Sequence, residues 1–151
     1  MDVLDIAAAL ARRFEGLYLR PYLCPAGIPT IGYGATYYEN GRRVTLEDAP
    51  ITREQAEELL VWMLKTVYLP TVFKLCPTIV HETPGRIAAI IDWTFNLGGG
   101  NLRVSTLRKK INAGDWAAVP AEIRKWNKAG SRVLKGLSIR REAEVQTSES
   151  Q

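Results

Sequence analysis

Phe14 to Gly34 reads FEGLYLRPYLCPAGIPTIGYG, and at this stretch the character of the chain changes. Ahead of it, Val3, Ile6, Ala7, Leu10, Ala11 and Phe14 recur at the 3, 4, 3, 4 spacing of a helix that buries one face, and Gly16 supplies the stop. From residue 20 to residue 50, Pro21, Pro25, Gly27, Pro29, Gly32, Gly34, Gly41 and Pro50 break any helix. Short runs at Thr30 to Tyr33 and Arg43 to Leu46 suit strands, and Glu39, Asn40 and Gly41 read as a hairpin turn. A small antiparallel sheet is expected directly after the first helix.

Further along the chain the pattern becomes helical. Thr52 is a helix N-cap, and Gln55 three residues later completes a capping box. The helix from Arg53 runs through Leu59, Leu60, Met63, Leu64 and Val67 until Pro70 kinks or ends it, long enough to connect two lobes. Thr83-Pro84 opens a second long helix. Its Ile87, Ala88, Ile90, Ile91 and Phe95 make it apolar nearly all round, which marks the centre of a helical lobe. Gly98 to Gly100 should end that helix, with further helical segments at Ser105 to Asn112, Trp116 to Lys125 and Ser138 to Ala143. The tail beyond Val145 is polar and expected to fray. The predicted architecture is α+β, one domain over residues 1–151. It comprises a β-containing lobe near 15–52, a helical lobe near 71–145 on which helix 1–14 packs, and a cleft where the lobes meet.

Composition narrows the function classes. Hydrophobic residues make up 46% and charged residues 24% of the 151, the usage of an ordinary globular domain and not of a disordered or fibrous chain. Apolar runs such as Ile6 to Ala11 fall far short of the roughly 18 residues of a membrane span. The N-terminus, with Asp2 before a short apolar segment and arginines behind it, has the wrong polarity for a secretory signal, so a cytoplasmic chain is expected. Cys24 and Cys76 are too few for a disulfide framework and lack the clustering of a zinc site; two free thiols and no metal or other cofactor are expected. The net charge of +4 belongs to the second half, where eleven cations between Arg103 and Arg141 face Asp115 and Glu122 before the RREAE run. A polyanion suits that surface, whether nucleic acid or an anionic cell-wall polymer, and so does a set of simply solvated helix faces.

Glu15 closes the first helix between Phe14 and Gly16, with Tyr18, Tyr22 and Tyr33 near it in sequence. A carboxylic acid held protonated near neutral pH can donate to a leaving oxygen, the general-acid half of glycosidic cleavage; an exposed helix-end glutamate is the bland alternative. Eight residues separate Glu15 from Cys24 and five separate Cys24 from Thr30, in an EG…Y…TIGYG context. On these residues the chain resembles the phage-type (T4-like) lysozymes, whose motif is Glu, eight residues, Asp or in some members Cys, five residues, Thr. Phe95-Asn96-Leu97-Gly98, Ser105-Thr106-Leu107, Ile111 to Asp115, Trp126 to Gly130 and Arg140 to Glu144 are similar, in order, to the family's second lobe. The resemblance covers about residues 5–145.

The resemblance implies a phage endolysin whose partner is bacterial peptidoglycan, cut between N-acetylmuramic acid and N-acetylglucosamine. It implies a monomer that neither binds nucleic acid nor inserts into a membrane, and that depends on a phage holin to reach the wall from the host cytoplasm. Glu15 would be the acid, while Cys24 and Thr30 would set a water on the opposite face of the sugar, with inversion at the anomeric carbon. Tyr33, Asn96, Trp126 and Lys128 are substrate-binding candidates. Cys24 departs from the commoner Asp. Because an ordinary thiol is only a few per cent ionised at pH 7, it acts either as a thiolate base helped by neighbours such as Arg20, or chiefly as an orienter of water. A lytic transglycosylase and a catalytically silent wall-binding protein on the same scaffold stay open, as does the same glycosidase carried on the virion. His81 reads as a surface loop residue, and Asp92 as a structural partner in an otherwise apolar helix. Arg124, Lys125, Lys128, Arg132 and Lys135 are expected to form a wall-facing cationic surface.

Overall fold

The computed structural model describes residues 2–150. Helix α1 (Val3–Phe14) is capped by Asp2, whose carboxylate accepts from the Asp5 amide, and it buries Ala7, Ala8, Leu10 and Ala11. Strands β1 (Tyr18–Leu23) and β2 (Pro29–Gly32) pair antiparallel, with Tyr22 opposite Thr30 and Leu23 opposite Pro29. The stretch expected as a strand at Arg43 to Leu46 contributes only an isolated bridge between Tyr37 and Arg43. Asp48 explains the difference. It accepts from the Tyr38 hydroxyl (2.6 Å), the Thr45 hydroxyl (2.7 Å), the Thr45 amide and Arg42, so this segment wraps around a carboxylate instead of extending. The turn at Glu39 to Gly41 is present: Gly41 adopts φ +85° and donates to the Tyr38 carbonyl.

Helix α2 (Arg53–Met63) begins with the expected capping box, Thr52 accepting from the Gln55 amide and Gln55 accepting from the Thr52 amide. The chain does not break at Pro70. It passes through one π turn (Leu64–Tyr68) into α3 (Leu69–Leu75), with Pro70 in the first turn of the new segment. A proline ring clashes with the carbonyl four residues back and removes an amide donor, and widening the preceding turn accommodates both. A 3₁₀ turn (Pro77–His81) then leads to α4 (Pro84–Leu97), capped by Thr83.

Helix α4 is the axis of the larger lobe, and its Ile87, Ala88, Ile90, Ile91 and Trp93 are buried. Helix α1 and α8 (Lys135–Glu149) both pack against it. Gly98 ends α4 at φ +92°, and the next glycines, read in the sequence only as a stop, open α5 (Gly99–Val104). Helix α6 (Thr106–Asn112), capped by Ser105, and α7 (Val119–Arg124) follow, then a two-residue hairpin of β3 (Lys128–Ala129) and β4 (Arg132–Val133). The polar tail is ordered through Glu149. Thr147 and Ser148 bond back to the Ala143 and Val145 carbonyls, Ser148 is buried, and a Cβ on Gly85 would collide with the Thr147 carbonyl oxygen. The end of the helix thus packs closely on the start of α4.

Candidate active site

The site is assembled where the end of α1 meets the β1–β2 sheet and α8. Glu15 leaves the helix in extended geometry while its amide still bonds the Ala11 carbonyl, which projects the side chain out of the α1 axis. Its Oε2 accepts from Arg140 Nη1 at 2.6 Å. Arg140 is itself clamped by Asp92, with Nε to Oδ2 at 3.0 Å and Nη2 to Oδ1 at 2.8 Å, and its guanidinium lies over the Phe14 ring. Burial works against the Arg140 charge, but the bonds to Asp92 and Glu15 outweigh it and hold the guanidinium charged beyond its ordinary range. The other Glu15 oxygen, Oε1, faces Gly34, whose φ of +96° and missing side chain leave that approach open.

Glu15 lies between two hollows. One of about 380 Å³ is lined by Phe14, Glu15, Asn96, Leu134, Leu137 and Arg140. The other, about 430 Å³ and more apolar, begins at Gly34 and is walled by Tyr37, Trp62, Val67 and Tyr68. Together they make a trough with a carboxyl near its middle, the shape an extended polymer needs on both sides of a bond to be cut. A larger hollow of about 460 Å³ lies between the start of α4 and the end of α8, lined by Arg86, Trp116 and Ser150, and contains none of these groups.

Cys24 and Thr30 stand across the β1–β2 hairpin. The Cys24 amide donates to the Ile28 carbonyl at 3.1 Å, and the Thr30 hydroxyl donates to the same carbonyl at 2.8 Å, which leaves the Thr30 oxygen lone pairs free to accept. Cys24 is half-buried, and its thiol is lowered from the ordinary range, chiefly by backbone bonding from Ile28, against the cost of burial, with backbone bonding from Ala26 adding to the effect. Tyr22, opposite Thr30, is raised by burial and then by the neighbouring charges of Tyr18, Cys24 and Glu15. Cys76 is fully buried and pushed up to about 11 by that burial.

The other candidates divide. Asn96 lines the trough beside Glu15, its Oδ1 held by Arg141 at 2.8 Å. Tyr33 is buried in the core, its hydroxyl donating to Glu57, and does not line the trough. Trp126 packs edge-on against Trp93 beside a separate hollow at Ser105 and Lys125. Lys128 is exposed on the β3–β4 hairpin. Of the five expected surface cations, Arg124 is bidentate to Glu142 and Lys125 pairs with Glu122, while Lys128, Arg132 and Lys135 have no acidic partner among the described residues. Sequence reading missed the aromatic wall of Tyr37, Trp62 and Tyr68 and the role of Arg140. The Arg-Arg-x-x-Glu spacing on α8 and the lone Asp92 of an apolar helix were the available signals for the latter.

A two-lobed α+β chain with a carboxyl at the centre of an inter-lobe trough belongs to the lysozyme-like class of folds. The phage lysozyme family profile matches residues 12–144. An endolysin of Acyrthosiphon pisum secondary endosymbiont phage 1 is 39% identical over 99% of each chain, and a SAR-endolysin of Bacteriophage PS119 is 34% identical over 86% of this chain and 73% of its own. Among solved structures, P22 lysozyme superposes with a TM-score of 0.84 at 29% identity, covering 99% of both chains. The chain belongs to the phage lysozyme family.

Proposed function

We propose that this chain is a phage endolysin with muramidase activity, hydrolysing the β-1,4 bond between N-acetylmuramic acid and N-acetylglucosamine in peptidoglycan. The observation that carries the reading is Glu15 at the junction of the two hollows, with Oε2 tied to Arg140 and Oε1 open toward Gly34. A proton carried on Oε1 passes to the glycosidic oxygen as the bond to the anomeric carbon breaks. A water on the opposite face adds its oxygen to that carbon. The Thr30 lone pairs accept one of its hydrogens in a positioning bond, and the proton it sheds goes to the Cys24 thiolate, whose formation the bonding around Ile28 favours. One displacement of this kind inverts the configuration. The endolysin role is supported by the likeness to curated endolysins over nearly the whole chain, and it implies that a holin-type membrane lesion supplies access to the wall.

Mass spectrometry of fragments released from purified peptidoglycan tests this. Reducing N-acetylmuramic ends are expected. Anhydro ends would instead signal internal attack by the muramic acid 6-hydroxyl, the transglycosylase reading, and no fragments at all would leave a wall-binding protein.

A further inference from the structure

The acid proposed above has a guanidinium against it. Arg140 Nη1 donates to Glu15 Oε2 at 2.6 Å, and among the described residues Arg140 is the one cation within ion-pair distance of that carboxyl. A lone opposite charge so close favours the ionised form of an acid. Glu15 must meet the glycosidic oxygen with its proton in place, so the neighbour that orients it also works against its task unless something balances the charge.

The balancing group is on α4. Asp92, 0% exposed, accepts from Arg140 Nε on Oδ2 (3.0 Å) and from Nη2 on Oδ1 (2.8 Å), the two-point fork by which an ionised carboxylate holds a guanidinium. With those two nitrogens engaged and the guanidinium lying over the Phe14 ring, Nη1 is the nitrogen that reaches Glu15. The next arginine of α8 is matched in the same way: Arg141 pairs with Glu144 at 2.8 Å, and that carboxylate is also 0% exposed. Each buried guanidinium thus has a buried carboxylate of its own, the condition under which charges are kept out of water. Glu15 is the carboxyl left over, at the trough. The other titratable groups close enough to feel it are Tyr22 from β1 and Tyr68 from the π turn, both raised by burial and so uncharged at neutral pH.

We propose that Asp92 is a positioning residue for the acid: it fixes the Arg140 fork and cancels its charge, so that Arg140 orients Glu15 through a hydrogen bond without holding it ionised. The inference rests on Glu15 being the proton donor proposed above. A pair that merely stitched α8 to α4 would join the helices equally well but would have no bearing on the pH at which Glu15 gives up its proton.

Turnover on purified peptidoglycan is followed against pH, with Tm recorded for each variant. Asp92→Asn keeps the shape of the side chain but leaves the Arg140 charge uncancelled, so the alkaline limb of kcat/KM should fall by about one pH unit or more. The double variant Asp92→Asn/Arg140→Gln strands no buried charge, and its limb should return to within about half a unit of the native position. An Asp92→Asn limb at the native position would overturn the proposal even if Tm falls, because lost stability is all that a structural pair predicts. A double-variant limb about one unit or more above native would overturn it as well, since Glu15 would then have been feeling an uncancelled cation in the native protein. That second comparison decides by itself should Asp92→Asn not fold. Glu15→Gln separates the two failures: native turnover in that variant would remove the reading of Glu15 and the role of Asp92 with it, whereas an inactive Glu15→Gln beside an unmoved Asp92→Asn limb would overturn the role of Asp92 alone.

Discussion

Iodoacetamide at neutral pH is expected to label Cys24 and to leave Cys76 unmodified in the folded protein. Only the thiolate reacts. Cys24 is accessible and lowered by its hairpin bonding, whereas Cys76 is sealed in the core and pushed up to about 11. Mass analysis should therefore find one adduct per chain and lost activity, and a second adduct only after unfolding; a labelled protein with full activity would rule Cys24 out of the reaction. Replacing Cys24 by Asp supplies a base that is ionised at neutral pH and should retain turnover, while Cys24→Ala should lose it. The Glu15, Cys24 and Thr30 trio was legible in the sequence because its spacing is local and reflects one helix end and one hairpin. The partner of Glu15 was not, since Arg140 lies 125 positions away and only the packing of α8 on α4 brings it there. Tyr33 shows the reverse: its place beside the motif suggested the trough, but the residue just past β2 is buried in the core with its hydroxyl donating to Glu57.

Single elements carry stability that can be tested one bond at a time. Thr52→Ala removes the side-chain half of the α2 capping box and should cost about 1 kcal/mol by urea denaturation with an unchanged m-value. Asp48 is held below the usual carboxylate range, first by the Tyr38 hydroxyl and then by the Thr45 amide and hydroxyl. A depressed folded pKa means that this stabilisation is fully present above the unfolded value of about 3.9 and is lost as pH falls through the folded one. Asp48→Asn should therefore lower Tm at pH 7 and make Tm fall less steeply below about pH 4; parallel Tm curves for native and variant would show that the carboxylate has no such role. The caps at Thr52 and Thr83 and the proline at Pro84 could be read directly because helix starts are written in a few adjacent residues. The π turn before Pro70 and the collapse of the expected strand onto Asp48 depend on how a conflict is resolved in three dimensions, and periodicity does not encode that.

Across the whole molecule, α4 joins the structural core to the site: Asp92 anchors Arg140, and Gly85, the second residue of the same helix, receives the end of α8. A Cβ at Gly85 meets the α8 backbone, which must shift to admit it, so Gly85→Ala should destabilise by about 1–3 kcal/mol, read by chemical denaturation. The β3–β4 hairpin presents Lys128 and Arg132, with Lys135 just beyond it, all unpaired among the described residues, at the rim that Leu134 contributes to the trough. Their combined replacement by Ala should weaken wall binding and flatten its salt dependence in a sedimentation assay with purified walls, because screened charge is what they contribute. The central claim concerns Glu15, and the most direct measurement compares the rate of fragment release from purified peptidoglycan by the native chain and by Glu15→Gln, with Tm recorded for both. A fall of about 10²–10⁴-fold at an essentially unchanged Tm is expected from loss of the transferable proton. Release at the native rate by a folded Glu15→Gln chain would contradict the assignment.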